Sequence, residues 1–316
     1  MARAPFQVLV IPYKFTSEGI KYCIFRREDV EVDMWQWVSG GGEDTESSLE
    51  SAKREMNEET GAIVLEIIPL SSMTYIPAYF FEEMTMNYPD HIVIPEYSFG
   101  ALVGQEIELS DEHSEYKWVD YETAMIYLHW DSNKTALYEL HIRLSKLELW
   151  DVYNKDRKRT GKIVVRDQYE FSGDEYHLIV IIWIIDSNNK VLVQRRSYNK
   201  DFLPGLIATH GGSAIAGEGS LESAIREVEE EIGITLEENE MKLFSSKIER
   251  NRIYDSYVVN KLILLEHLKI DPEEVDSCYY MSIGEIKESI KEGEFFDYLK
   301  RQGNDYFDKI FSSIKK

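Results

Sequence analysis

The sequence predicts an α/β protein built from two tandem units, each a mixed sheet sandwiched between helices. Three observations carry that prediction. A chain of 316 residues favours two domains. A glutamate-rich string opening on glycines occurs twice at a lag of 172 residues, which points to duplication. In each half, short runs of β-branched and aromatic residues alternate with a few stretches of helical periodicity.

In the first unit, Phe6 to Phe15 and Tyr22 to Arg26 read as paired strands around the turn Thr16 to Gly19, and Met34 to Gly42 leads into the first glutamate-rich string. Ile63 to Pro69, Met73 to Phe80, Tyr97 to Val103 and Tyr116 to Val119 follow as short strands, then helices from Tyr121 to Leu128 and Asn133 to Leu147. The second unit repeats the order with strands Ile179 to Asp186 and Val191 to Arg196, the second string, strands Met241 to Glu249 and Tyr257 to Leu265, and a largely helical tail. The boundary falls where the closing helix of the first unit ends, giving domains 1–147 and 148–316. Tyr153 to Gly161, with Lys155, Arg157, Lys158 and Arg159, is expected to be a basic surface turn.

With 58 acidic against 35 basic residues, the net charge of -23 disfavours nucleic-acid polymers and anionic membranes. It suits a small phosphorylated metabolite or nucleotide carried with a dication. The longest apolar run, Tyr176 to Ile185, is half of the roughly 20 residues a membrane helix needs and reads as a buried strand. Met1 to Phe15 contains Pro5, Pro12 and Lys14 and reads as a strand, not as a signal peptide. Cys23 and Cys278 lie in different halves without a C-x-x-C spacing, so a reducing cytoplasm is the expected setting. Oligomerisation is left open.

The repeated string has the spacing G-x5-E-x7-R-E-U-x-E-E-x-G-U, with U a small or apolar residue. It runs Gly40, Glu46, Arg54, Glu55, Glu58, Glu59, Gly61 in one copy and Gly212, Glu218, Arg226, Glu227, Glu230, Glu231, Gly233 in the other. Ser48 and Ser220 are natural N-caps, and Gly61 and Gly233 sit where a left-handed residue ends a helix. At about 100° per residue, Leu49, Ala52 and Met56 share one sector and Glu55, Glu58 and Glu59 the adjoining one. Three like charges at i, i+3 and i+4 weaken an isolated helix, and a dication reverses the sign of that effect. Hard oxygen ligands on one rigid face, with positions open to water and phosphate, describe a Mg²⁺ or Mn²⁺ site, with Glu227, Glu230 and Glu231 repeating it. Arg54 and Arg226 are expected on a different face, paired with Glu46 and Glu218 and tying loop to helix.

The string resembles the Nudix box of the MutT-type nucleoside-diphosphate-X hydrolases. The resemblance implies the pairs Glu46 with Arg54 and Glu218 with Arg226. It also implies metal and base roles among Glu55, Glu58, Glu59, Glu227, Glu230 and Glu231, which are carried over here. The implied reaction is attack of a metal-activated water on a phosphorus of a phosphoanhydride. Arg26 and Arg27, then Arg195, Arg196 and Lys200, stand before each box as phosphate holders or as plain strand-end charges.

The pieces Phe25-Arg26-Arg27, Trp35-Gln36-Trp37, Pro95-Glu96-Tyr97, Glu112-His113, Tyr116-Lys117-Trp118 and Trp130-Asp131-Ser132-Asn133 resemble bacterial Nudix pyrophosphatases related to dihydroneopterin triphosphate diphosphatase. That likeness implies a pterin or nucleoside triphosphate cut to a monophosphate and pyrophosphate. Trp35 or Trp37 then either stacks on the heterocycle or packs against the core. Glu96 is an extra metal ligand or base, or a solvated glutamate.

Trp150 to Gly161, Glu175-Tyr176-His177, Gln194-Arg195-Arg196 and Pro204-Gly205 resemble the Nudix branch that includes isopentenyl diphosphate isomerase and its hydrolase relatives. Isomerases of that branch need a cysteine before the box, whereas Ala208 to Ser213 contains none and Cys278 comes late in the chain. Hydrolysis is therefore the expected chemistry of the second half. His210 there is a loop histidine making a structural hydrogen bond, or an acid–base group. An isomerase second half and a non-catalytic nucleotide sensor are the rival readings.

Overall fold

A computed structural model of the chain describes residues 3–27, 34–104, 107–110, 113–296, 306–307 and 309–310. The chain divides into two compact units, Met1–Glu148 and Leu149–Lys316. Glu112 and most of the tail beyond residue 296 lie outside the described residues.

The first unit contains β1 (Arg3–Thr16), β2 (Gly19–Arg27), β3 (Trp35–Gln36), β4 (Val38–Glu43), α1 (Ser48–Thr60), β5 (Val64–Pro77), α2 (Glu82–Asn87), β6 (Val93–Val103), β7 (His113–Val119), α3 (Tyr121–Tyr127) and α4 (Asp131–Leu144). Its sheet runs β3-β2-β1-β6-β5, with β4 on β1 and β7 on β2. The β1/β6 pair is parallel and the other ladders are antiparallel. Alternation along β1 sends Val8 and Val10 to the face covered by α1, through Ala52 and Met56. Leu9, Ile11 and Tyr13 go to the opposite face, covered by α4 through Leu137 and Leu140.

The second unit begins with a hairpin, β8 (Leu149–Tyr153) and β9 (Arg159–Val165). It continues with β10 (His177–Ile185), β11 (Val191–Arg196), β12 (Ile207–Ala208), α5 (Ser220–Ile232), β13 (Lys242–Glu249), β14 (Arg252–Asn260), β15 (Val275–Met281) and α6 (Ile283–Glu292). The sheet order β12-β11-β10-β14-β13, with β15 on β11, repeats the first unit's order except that β4 has only isolated bridges, at His210 and Ser213, as its counterpart. Val180, Ile182 and Ile184 pack on α5, and Ile181, Trp183 and Ile185 pack on α6 and on Tyr306, Phe307 and Ile310. Each unit is thus an α/β/α sandwich with a mixed sheet.

Several local expectations need correction. Ser47, not Ser48, caps α1, because the capping box needs its hydroxyl three residues before Glu50; the Glu50 N–H donates to Ser47 Oγ at 3.3 Å and Ser47 N–H to Glu50 Oε2 at 2.8 Å. Gly219 takes that place in α5, and the Ser220 hydroxyl instead donates to Asp255. Leu49 is exposed, and the buried stripe of α1 runs through Ala52, Met56 and Glu59. The two strands expected across residues 63–80 are a single strand, β5. Its ladder shifts register between Pro69 and Met73, where Glu139 accepts the N–H groups of Ser71 and Ser72 and Arg143 donates to the Pro69 carbonyl. The segment after residue 265 contains a strand, β15, because β11 needs an outer partner as β2 needs β7. The basic 153–161 segment is a hairpin turn whose arginines meet buried acids, Arg157 with Asp255 at 2.5 Å and Arg159 with Asp151 at 3.0 Å.

Gly61 and Gly233 end α1 and α5 in the left-handed region, at φ 58° and 69°. An added methyl group at Gly233 would lie 2.6 Å from Lys269 Cβ and 3.1 Å from its carbonyl, whereas at Gly61 its nearest neighbour would be 3.4 Å away. Gly61→Ala is therefore expected to destabilise by roughly the 1–2 kcal/mol of a left-handed L-residue. Gly233→Ala is expected to cost clearly more, and equal shifts of the two variants in urea unfolding would contradict this packing.

Candidate active site

In each unit a glycine before the helix is the seat of one of its carboxylates. A Cβ on Gly40 would stand 1.8 Å from the Glu55 carboxyl carbon, and one on Gly212 2.4 Å from Glu227 Oε2. Any side chain there would push the glutamate off the strand. One guanidinium then joins loop, strand and helix. Arg54 Nε donates to Glu46 Oε1 at 3.0 Å, Nη2 to the Gly41 carbonyl at 2.7 Å, and Nη1 to Glu55 Oε1 at 2.8 Å and Glu58 Oε2 at 2.9 Å. Arg226 repeats this fork with Glu218 at 2.8 Å, the Ser213 carbonyl at 3.2 Å, Glu227 at 3.0 Å and Glu230 at 2.7 Å. The expectation that the arginines avoid the metal carboxylates is thus corrected: a fork of five donors spans both groups. The Arg54 hydrogen bonds hold the Glu46 carboxyl down at about 2, helped by Ser51 Oγ and the Glu43 N–H.

The three helix carboxylates are graded by depth. Side-chain exposure is 5% for Glu59 and Glu231, 12% and 15% for Glu55 and Glu227, and 56% and 57% for Glu58 and Glu230. Glu58 and Glu230 therefore sit at the rim and the others inside. Burial first, and the neighbouring Glu231 second, push Glu227 up to about 8. A carboxylate crowded by like charge is what a cation relieves, so the donor set suits a hard dication in its chemistry. Among the described residues no three His, Cys, Asp or Glu side chains surround one point as a finished ligand set. The arginine Nη1 lies between the carboxylates instead.

Around the deepest glutamate the units differ. In the second, Gln194 Nε2 donates to Glu231 Oε1 at 2.7 Å and His210 Nδ1 bonds Glu231 Oε2 at 2.9 Å. In the first, His113 Nδ1 stands 3.6 Å from Glu59 Oε2. Cys278, set aside from its late position in the chain, pairs with Gln194 across β15 and β11. Burial, then Glu231, raises its thiol to about 12. Sequence reasoning also missed Gln194 as a site residue, and Arg3. The Arg3 guanidinium lies against Gly41 and 4.2 Å over the Phe81 ring, and its Nε has no hydrogen-bond partner. Gln194 enters the sequence reading only as part of a family likeness and Arg3 not at all, since strand pairing brings them to the box.

The remaining expected residues fall elsewhere. Trp35 and Trp37 belong to the core beneath α4, and Trp37 Nε1 donates to the Asn133 carbonyl at 3.1 Å; packing replaces the stacking role. Glu96 is buried, which corrects the solvated reading, and burial pushes its carboxyl up to about 7. It stands in register with Gln7, so it belongs to the sheet face opposite α1. In the second unit the register places Tyr254 against Ile179 at the matching position. Arg195 donates to the Gly205 carbonyl, Arg196 to those of Leu203 and Phe202, and Lys200 pairs with Glu274. These three cations fasten the loop between β11 and β12, which corrects their assignment as phosphate holders. Arg26 is exposed and Arg27 half-buried, at the end of β2 facing Glu115 and His113 on β7. No described helix is long and apolar enough to cross a membrane.

The NUDIX domain family profile matches residues 7–140 and again 175–299. An uncharacterised Nudix hydrolase of Listeria innocua is 31% identical over 156 residues, which is 48% of this chain and 90% of that protein. Nudix hydrolase 3 of Arabidopsis thaliana is 32% identical over 183 residues, covering 54% of this chain and 23% of that one. Among solved structures, a NUDIX hydrolase of Listeria monocytogenes is 44% identical with a TM-score of 0.41, covering 45% of this chain and 96% of that chain. The E. coli dihydroneopterin triphosphate pyrophosphohydrolase is 25% identical with a TM-score of 0.38, covering 45% of this chain and 99% of that chain. The chain belongs to the NUDIX domain family, in two tandem copies. It is a Nudix hydrolase, an enzyme of pyrophosphate bonds in small phosphorylated substrates, in a family that generally uses divalent metals.

The raised Glu227 carboxyl has a consequence for stability. Folded Glu227 keeps its proton to about pH 8 while the unfolded chain loses it near 4.5, so this group's stabilisation is full below 4.5 and is lost as pH rises toward 8. In chelator, the stability of Glu227→Gln relative to wild type is expected to climb through that window in urea unfolding, and a difference independent of pH would contradict the burial.

Proposed function

We propose that the chain is a dication-dependent phosphoanhydride hydrolase with two independent centres. The first acts on a nucleoside or pterin triphosphate and the second on another diphosphate compound. The observation that carries this reading is the duplicated cluster, glycine seat, arginine fork and three graded carboxylates, present complete in both units. A sensor that only binds nucleotide has no use for two complete sets. The first unit's likeness to pterin triphosphate pyrophosphatases supports its substrate class. The second unit's likeness to the isopentenyl diphosphate isomerase branch supports a diphosphate, and Ala208–Ser213 without a cysteine favours hydrolysis over isomerisation. Cys23 and Cys278, one in each half and without a C-x-x-C spacing, support the cytoplasm as the setting.

Mg²⁺ or Mn²⁺ would be held by Glu55, Glu58 and Glu59 in the first centre and by Glu227, Glu230 and Glu231 in the second. Such an ion acidifies water and neutralises charge on the phosphoanhydride oxygens. The chain's own part is placement. Glu46 and Glu218 anchor the arginines, the arginines hold loop carbonyl and helix together, and the glycines let the carboxylates reach the strand. Glu55, Glu59, Glu227 and Glu231 are the catalytic carboxylates. Glu96, in register with Gln7 on the sheet face opposite α1, is left out of the first centre's carboxylates. Arg3, beside Gly41 and within the field of Glu55, is a cation available to substrate phosphate in the first unit, as are Arg26 and Arg27 at the end of β2.

The test is a screen of nucleoside triphosphates, dihydroneopterin triphosphate, ADP-ribose, dinucleoside polyphosphates and isopentenyl diphosphate with Mg²⁺ and with Mn²⁺. Chelation is expected to stop all hydrolysis. Glu59→Gln and Glu231→Gln are each expected to lower one group of activities by about 10²–10⁴-fold and spare the other. Loss of every activity from either change alone would refute independent centres, and isomerisation without phosphate release would reassign the second.

A further inference from the structure

We infer that Gln194 and His210 are positioning residues of the second centre, clamping the Glu231 carboxylate in the orientation from which it meets a dication. The inference rests on the metal-dependent reading above. Both residues are 1% exposed, and each donates to a different oxygen of a carboxylate that is itself 4% exposed. Each oxygen accepts one hydrogen bond and keeps a lone pair, so the clamp sets direction without using up the donor set. Both donors stand on paired backbone. Gln194 lies in β11 between Ala208 of β12 and Cys278 of β15, and the His210 carbonyl accepts the Ile182 N–H at 2.9 Å.

The two clamping residues are specific to this unit. Gln194 faces Ala208 and Cys278 as Phe25 faces Gln36 and Tyr116 in the first unit, so Phe25 is its counterpart and offers no donor. At the 172-residue lag His210 corresponds to Val38, which offers none either. The first unit's histidine comes from the other side, His113 facing Arg27 where Val275 faces Arg196. The second unit also leaves Gln194 Oε1 and His210 Nε2 buried without hydrogen-bond partners. Side chains kept only for packing would be apolar here, because each orphaned polar atom is a loss that the clamp has to justify.

The test uses the full chain in a Glu55→Gln, Glu59→Gln background, so that the second centre dominates Mn²⁺ binding. Free Mn²⁺ is titrated by electron paramagnetic resonance, and folding is followed by thermal unfolding. Gln194→Met, which keeps shape and removes the donor, and His210→Leu are each expected to weaken Mn²⁺ binding by about 10- to 100-fold. His210→Asn, which returns an N–H near the Nδ1 position, is expected to stay within about threefold of the parent. Where His210→Leu fails to fold, Gln194→Met and His210→Asn carry the comparison. A folded Gln194→Met that binds Mn²⁺ as the parent does overturns the inference alone. A parent that binds no Mn²⁺ overturns the metal reading and the inference with it.

Discussion

One guanidinium in each unit, Arg54 or Arg226, holds the centre together. It reaches a loop glutamate at one end, two helix glutamates at the other and a strand carbonyl between them. Remove the charge and several carboxylates face one another across a glycine strand with nothing to offset them. That constraint explains why the fork, the glycines and the loop glutamate occur together in both units: each is of little use without the others. It also explains the depth gradient, because a helix laid on the sheet through Ala52 and Met56, or Ala224 and Val228, buries its last box glutamate and leaves the middle one at the rim.

On this shared frame the units have diverged where the frame leaves freedom. Between β5 and β6 the first unit inserts α2, whose Phe81 cap supports Arg3, while β13 and β14 of the second are joined by a tight turn at Arg250 and Asn251. The second unit adds the β8/β9 hairpin. Asp151 on it accepts the Gly217 N–H, and Arg159 donates to the Glu218 carbonyl, tying the hairpin to the loop before α5. A buried Glu96 in one unit answers to Tyr254 in the other. These differences leave the arginine fork and the box carboxylates in place in both units.

The sequence by itself determined the duplicated α/β/α architecture, the helix ends at Gly61 and Gly233, and the glutamate and arginine sets. All of these are local in the chain: a helix repeats every 3.6 residues, a cap acts over three or four, and both copies are written in contiguous strings. Tertiary structure decided what depends on strand pairing. It buried Trp37, turned Arg195 and Arg196 to loop carbonyls, and set Glu96 on the far face of the sheet. It also brought Gln194, His210 and Cys278 to Glu231 from three separate strands or loops. A ladder joins residues that can be far apart in the chain, and which face a side chain takes follows from register, a property of two strands together that neither one carries alone.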